Sequence, residues 1–204
     1  MKSFRSAFLV LLLGSLAPLA SAETDRISTH FTSETVEAPS FEVAAETAYM
    51  AGIIGNPNSY EVAAQFFTAR WRWGVIQRDS WLQGYNQVYA TFMVEPIIRG
   101  PENFYYGISL GFRYNFAKPG ARWIPYVSGG VGLGWLDSHA NIDSAQGQDF
   151  TFNILTATGF TYKMSDHWKM DLGIQYQHFS NGGQTDPNPS VNLLGPQVSF
   201  TYAY

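Results

Sequence analysis

Residues 104–116 read FYYGISLGFRYNF, and their alternation decides the fold. Phe104, Tyr106, Ile108, Leu110, Phe112, Tyr114 and Phe116 fall on one side of an extended chain. Tyr105, Gly107, Ser109, Gly111, Arg113 and Asn115 fall on the other. Successive side chains of a strand point to opposite faces, so a period of two marks a β-strand. A soluble sandwich would show the same period with its apolar face turned inward. Here that face carries aromatics at both ends and aliphatics between them, the order found where a barrel wall crosses a membrane between two aromatic girdles.

The same alternation extends in both directions. It marks eight segments, 41–54, 60–73, 81–98, 103–117, 123–137, 150–164, 168–181 and 192–204. In 150–164, Phe150, Phe152, Ile154, Phe160, Tyr162 and Met164 oppose Asn153, Gly159 and Lys163. In 123–137, Trp123, Pro125, Val127, Val131, Leu133 and Trp135 oppose Ser128, Gly130, Gly132 and Gly134. A glycine-lined inner face suits a narrow barrel with a packed lumen. The second segment is the least regular: Tyr60, Val62, Ala64 and Phe66 set a parity that Arg70 and Arg72 break, which predicts a bulge or an early exit from the membrane. The last segment, PQVSFTYAY (196–204), ends on an aromatic, similar to the C-terminal signature by which outer-membrane barrels are recognised for assembly. The expectation is an all-β fold, an eight-stranded antiparallel transmembrane β-barrel of the bacterial outer membrane over 41–204.

Composition agrees. The chain is 16% aromatic, contains 19 glycines and is only 14% charged, whereas an average soluble domain is about 25% charged. Residues 1–22 read as a signal peptide, with basic Lys2 and Arg5, an apolar AFLVLLLGSLAPLA and a small-residue cleavage site at Ala20-Ser21-Ala22. Beyond it no apolar run is long enough for a transmembrane helix. Residues 23–40 are polar and aperiodic, as expected of a flexible periplasmic N-terminal segment. The absence of cysteine excludes disulfides, a thiolate nucleophile and Cys-based zinc. A net charge of −4 provides no footprint for nucleic acid.

The seventh segment begins WKMDLGIQYQHFS (168–180). Trp168, Met170, Leu172, Ile174 and Tyr176 make its apolar face, and Lys169, Asp171, Gln175 and Gln177 its polar, lumen-directed one. The even series continues to His178 and Ser180, which therefore face lipid. With both termini in the periplasm, the long connections 137–149 and 181–191 lie outside the cell and the three-residue 165–167 lies inside. His178 and Ser180 thus reach the outer-leaflet interface. A histidine and a serine two apart on one strand face set a general base beside a nucleophile. The adjoining SNGG offers donors for an oxyanion.

These residues resemble the PagL-type lipid A 3-O-deacylases, eight-stranded outer-membrane barrels that remove an ester-linked 3-hydroxyacyl chain from lipopolysaccharide. The shared pattern, His-aromatic-Ser-Asn-small-Gly and then Pro-Asn, reads HFSNGGQTDPN over 178–188. The resemblance is specific over 150–204 and looser earlier, where RWRW, NQVYATF and IPYVSGGVGLG are similar in style. It implies His178 as base, Ser180 as nucleophile and oxyanion support around Asn181, Gly183 and Asn188. It also implies lipid A of the outer leaflet as the membrane-embedded partner, with no cofactor and no metal. It leaves the oligomeric state open, a homodimer included.

One position departs from the pattern. The family places a glutamate, which orients the histidine, where this chain has Asn192. An amide can accept from Nδ1–H but cannot stabilise an imidazolium as a carboxylate does. An Asp-to-Asn change in a serine-protease triad costs about 10⁴ in turnover, yet Cys-His-Asn enzymes work. Asp186 could assist from the loop, while Glu95 and Glu102 sit by another external connection. His139, Asp137, Asp143 and Asp149 could hold a divalent cation, although a solvated acidic loop explains them more simply. Arg70, Arg72, Arg99 and Arg113 could meet phosphates or line the lumen. The expected function is an outer-membrane serine esterase acting on the 3-position ester of lipid A. The alternative is a catalytically weak or inactive barrel with a structural or adhesion role, and a packed lumen disfavours a channel.

Overall fold

The computed structural model describes residues 35–53, 60–139, 141–142 and 144–204. The expected signal peptide and residues 23–34 lie outside the described residues. Eight antiparallel strands follow in order: β1 (Phe41–Gly52), β2 (Glu61–Ile76), β3 (Gly84–Arg99), β4 (Phe104–Asn115), β5 (Trp123–Leu136), β6 (Phe150–Lys163), β7 (Trp168–Ser180) and β8 (Val191–Ala203). Each pairs with its sequence neighbours, and β8 pairs with β1 to close the barrel. Closure satisfies every strand edge, the condition for placing β structure in lipid. The expected segments match these strands to within three residues at every end.

The wall sorts its side chains as the alternation requires. Ile108, Leu110, Val131, Ile154 and Ile174 are exposed outward in a mid-wall aliphatic band. At the end opposite the chain termini, rings run in contact from Phe104 to Tyr106 (6.4 Å), Trp135 (5.9 Å), Phe150 (5.6 Å) and Phe152 (5.3 Å). At the terminal end, Trp123–Tyr162 (4.7 Å), Trp168–Tyr202 (5.2 Å) and Tyr202–Tyr204 (4.9 Å) form the second girdle.

Inside, the lumen has two chemistries. Its extracellular half is mainly apolar, built from Met50, Val62, Phe66, Met93, Phe179 and Leu193, with Glu95 and Gln177 buried among them. Its periplasmic half is ionic. Arg70 reaches Glu46 at 2.9 Å and Asp171 at 3.6 Å, Arg113 meets Asp171 at 2.8 Å, and Lys169 pairs with Glu42. Three cations therefore face three carboxylates, and hydrogen bonds from Gln87 to Glu42 (2.8 Å) and from Thr161 to Asp171 (2.6 Å) occupy further oxygens. Buried charge is tolerated only with this kind of pairing. The glycines of β5 make room for tyrosines: a Cβ on Gly134 would sit 2.1 Å from the Tyr105 hydroxyl, and one on Gly130 2.5 Å from that of Tyr89. Between the two halves lies a cavity of about 30 Å³ bordered by Glu46, Arg70, Arg113 and Gln175. That is room for a water or two rather than a pore.

β2 departs from the expected break in parity. Tyr60, Val62, Ala64 and Phe66 are buried at 0–2% exposure and point into the lumen, not toward lipid. Thr68 and Arg70 continue the same inward face, so Arg70 breaks no parity. The face changes from apolar to charged because the lumen does. The outward set is Phe67, Trp71 and Trp73. A register shift does occur between Arg72 and Gly74, past the ionic layer. Below it, residues 35–40 are seated against the barrel end. Val36 is buried beside Tyr85 and Ile124, its N–H donates to Gln77 Oε1 (2.7 Å), and Arg72 donates to the Ala38 carbonyl (2.6 Å).

Candidate active site

β7 and β8 run antiparallel with His178 directly opposite Asn192. Opposed side chains on one sheet face have Cβ atoms about 5 Å apart, within reach of an imidazole and an amide. His178 Nδ1 lies 3.0 Å from Asn192 Oδ1, and the Tyr176 hydroxyl donates to the same oxygen at 2.8 Å. Asn192 Nδ2 faces the Ser190 carbonyl at 3.5 Å. All three side chains are half-buried on the outward face. Ser180, the last residue of β7, follows His178 on that face and pairs with Phe152 of β6. Among the described residues no hydrogen bond joins Ser180 Oγ to the imidazole. The ring must lean along the strand to reach it, and such contacts commonly tighten only with substrate bound.

The residues expected to support an oxyanion come together in the 181–190 loop. Asn181 is fully buried and organises it. Its backbone N–H donates to Asn188 Oδ1 (2.9 Å), its Nδ2 to the carbonyls of Thr185 (2.7 Å) and Pro187 (3.3 Å), and its Oδ1 accepts from Gly183 N–H (2.9 Å). Those interactions occupy the Asn181 and Gly183 backbone N–H groups. Among the described residues, Asn188 Nδ2 and the Gly182 N–H make no intramolecular hydrogen bond. Gly182 has a φ of +69°, and a Cβ there would press on the Phe152 ring at 3.1 Å. The aromatic girdle from Phe104 to Phe152 therefore ends at the serine.

A second loop clamps the first. Gly147 N–H donates to the Pro187 carbonyl (2.7 Å), Gln146 Nε2 donates to the Pro189 carbonyl, and Thr185 Oγ1 donates to Gln148 Oε1 (2.6 Å). Gln146 is fixed in turn by its own N–H to Glu102 Oε1 (2.8 Å), while Tyr60 donates to the other oxygen of that carboxylate. Glu102 is thus a buried tie between loops.

The remaining candidates lie elsewhere. Glu95 is in the lumen, accepting from Gln177 (3.0 Å), and Asp186 is exposed with no bond to His178 among the described residues. Asp137 accepts from the Asn103 side chain (2.8 Å) and from the backbone N–H groups of Asn103 (2.9 Å) and Phe104 (2.8 Å). Asp149 accepts from Ser138 N–H (3.0 Å), and His139 Nδ1 contacts the Pro101 carbonyl (2.7 Å). Asp143 lies outside the described residues, and among those described no three acidic or histidine side chains form a group that could hold a metal. Arg70 and Arg113 line the lumen, while Arg99 is exposed and pairs with Glu61 at 3.0 Å.

Fold and site together define an outer-membrane β-barrel with a histidine, an asparagine and a serine gathered on its lipid-facing wall at the extracellular rim. The family model for "Lipid A 3-O-deacylase (PagL)" matches residues 58–201, and the chain belongs to that family. It is 30% identical over 92 residues to the lipid A deacylase PagL of Bordetella bronchiseptica, a match covering 43% of this chain and 48% of that protein. The chain thus spans about half the length of that relative. In fold it is similar to the crystal structure of the outer membrane enzyme PagL, with a TM-score of 0.52 at 17% identity over 78% of this chain and 97% of the other. It is also similar to Neisserial surface protein A, with a TM-score of 0.60 at 15% identity over 82% of this chain and all of the other.

Proposed function

We propose that the protein is a serine esterase of the outer leaflet that hydrolyses the 3-hydroxyacyl ester at the 3 position of lipid A. The observation that carries this reading is the His178–Asn192 hydrogen bond at the extracellular end of the outer wall, one strand step from Ser180. An ester carbonyl just below a lipid headgroup lies at that depth. Acyl chains would lie along the girdle that ends at Phe152.

His178 Nε2 takes the Ser180 proton as Oγ attacks the carbonyl carbon. Asn188 Nδ2 and the Gly182 N–H are the donors proposed for the developing oxyanion, on a loop that Asn181 preorganises. Collapse of the tetrahedral species breaks the bond to the sugar oxygen, and His178 returns the proton to it. Interfacial water then attacks the acyl-enzyme with His178 again as base, releasing a 3-hydroxy fatty acid. No step needs a cofactor. Asn192 orients the ring without charge compensation, which lowers turnover relative to a carboxylate.

The second reading is a non-catalytic barrel, favoured by the neutral Asn192. Mass spectrometry of lipid A from cells expressing the protein separates the two. Loss of one 3-hydroxyacyl mass that is restored by Ser180→Ala supports the esterase. Unchanged lipid A with folded wild-type protein supports the inert barrel, and activity that appears only with Asn192→Glu identifies a pseudoenzyme.

A further inference from the structure

An asparagine in place of a carboxylate raises a problem that the loss of charge does not cover. Both carboxylate oxygens accept, so a glutamate holds the Nδ1–H tautomer whichever oxygen it presents. An amide has one accepting and one donating end. If Nδ2 faced the imidazole, Nδ1 would accept, the proton would sit on Nε2, and the ring could not serve as base toward Ser180. Something must hold the amide the right way round.

The geometry points to Tyr176 as the positioning residue that does so: its hydroxyl and the Ser190 carbonyl select the Asn192 rotamer that forces His178 into the Nδ1–H, Nε2-basic tautomer. Tyr176 and His178 are two apart on the outward face of β7, and both side chains converge on Asn192 Oδ1, at 2.8 Å and 3.0 Å. A carbonyl oxygen has two lone pairs and takes both donors. A phenol can also accept, so the flipped amide would still touch both neighbours. Among the described residues, two costs oppose the flip. The phenolic proton would lose its Asn192 acceptor on a wall facing lipid, and Oδ1 would turn onto the Ser190 carbonyl oxygen, which Nδ2 now faces at 3.5 Å. An unmet polar group away from water is costly, so both effects favour the observed arrangement. Tyr176 touches no reacting atom and acts only through Asn192.

Since the catalytic consequence rests on the esterase reading, the test has one arm that does not. Nitrogen NMR of ¹⁵N-histidine-labelled protein in detergent micelles reads the ring tautomer directly, with the His178 signals assigned by their loss in His178→Gln. Wild type is expected to show a protonated Nδ1 and a bare Nε2, and Tyr176→Phe a mixture with protonated Nε2. The same tautomer in both would overturn the inference, whether or not the protein deacylates anything. The second arm is a double-mutant cycle in lipid A hydrolysis. Tyr176→Phe is expected to lower kcat about fivefold with KM unchanged, the worth of one ordinary hydrogen bond. In an Asn192→Glu background, where either oxygen accepts, the same change is expected to do little. Equal losses in both backgrounds would refute the tautomer role and leave the esterase reading standing. Lack of hydrolysis by wild type and by Asn192→Glu alike would refute the esterase reading, and the NMR spectra would still decide the tautomer.

Discussion

Gly147→Ala perturbs the candidate site from a loop that contains none of its polar groups. A Cβ at position 147 would stand 2.6 Å from the Asp186 carbonyl oxygen and 2.7 Å from its carbon, both backbone atoms. Ordinary contacts begin at 3.4 Å, so the two loops must separate by roughly 0.8 Å. That displacement disturbs the Gly147–Pro187 bond at 2.7 Å and strains the neighbouring Gln146–Pro189 and Thr185–Gln148 bonds. Two or three hydrogen bonds of about 1 kcal/mol each amount to about 2–3 kcal/mol of loop positioning. Misplacing catalytic groups by about 1 Å can cost a factor of about 10² in rate. The strands take no part, so the barrel should keep its unfolding midpoint. The assay pairs lipid A hydrolysis by purified protein with heat-modifiable migration on gels. A loss of about 10- to 100-fold in kcat at an unchanged midpoint is the expected result. Full activity in the variant would refute the clamp, and a lowered midpoint would show that the loop instead supports the barrel.

Two further outcomes follow from other parts of the molecule. Asp171→Asn leaves Arg113 without the carboxylate 2.8 Å away and Arg70 without the one at 3.6 Å. Removing one partner of a buried pair should cost about 3–5 kcal/mol in urea unfolding from detergent or liposomes. The rate per folded molecule should hold, because the ionic layer lies at the opposite end from Ser180. At Asp137, burial alone would raise the carboxyl, but hydrogen bonds from the Asn103 side chain and the Phe104 and Asn103 backbones outweigh it and hold the group below its ordinary value. A depressed carboxyl contributes stability above its unfolded pKa and loses it as pH falls through the folded one. Amide exchange at Asn103 and Phe104 should therefore accelerate, beyond the intrinsic pH trend, only below about pH 4. Asp137→Asn should remove that dependence.

Strand number and most of the facing pattern were legible because lipid outside and polar groups inside impose opposite chemistries on alternate residues. That contrast is sharp in β4 and β7, so His178 and Ser180 could be placed outward from parity alone. It fails in β2, where Tyr60 to Phe66 face an apolar half-lumen and look like a lipid-facing wall. Alternation reports a difference between faces, not which face is which. The family pattern singles out Asn192, but its hydrogen bonds depend on a cross-strand register that one strand does not encode. Tyr176 read simply as an apolar-face residue, although its position two before His178 on the same face was the available signal. The Glu102–Gln146–Pro189 tie joins three connections far apart in sequence and carried no local signature.

In the proposed reaction Ser180 attacks the acyl carbonyl of a lipid A ester from the outer wall. Hydrolysis of purified lipid A in H₂¹⁸O, read by mass spectrometry of both products, follows that bond cleavage atom by atom. The expected result is ¹⁸O in the carboxyl of a released 3-hydroxy fatty acid, none in the sugar hydroxyl, and no release by Ser180→Ala. Release undiminished in Ser180→Ala, label in the sugar, or intact lipid A after incubation with folded wild-type protein would contradict it.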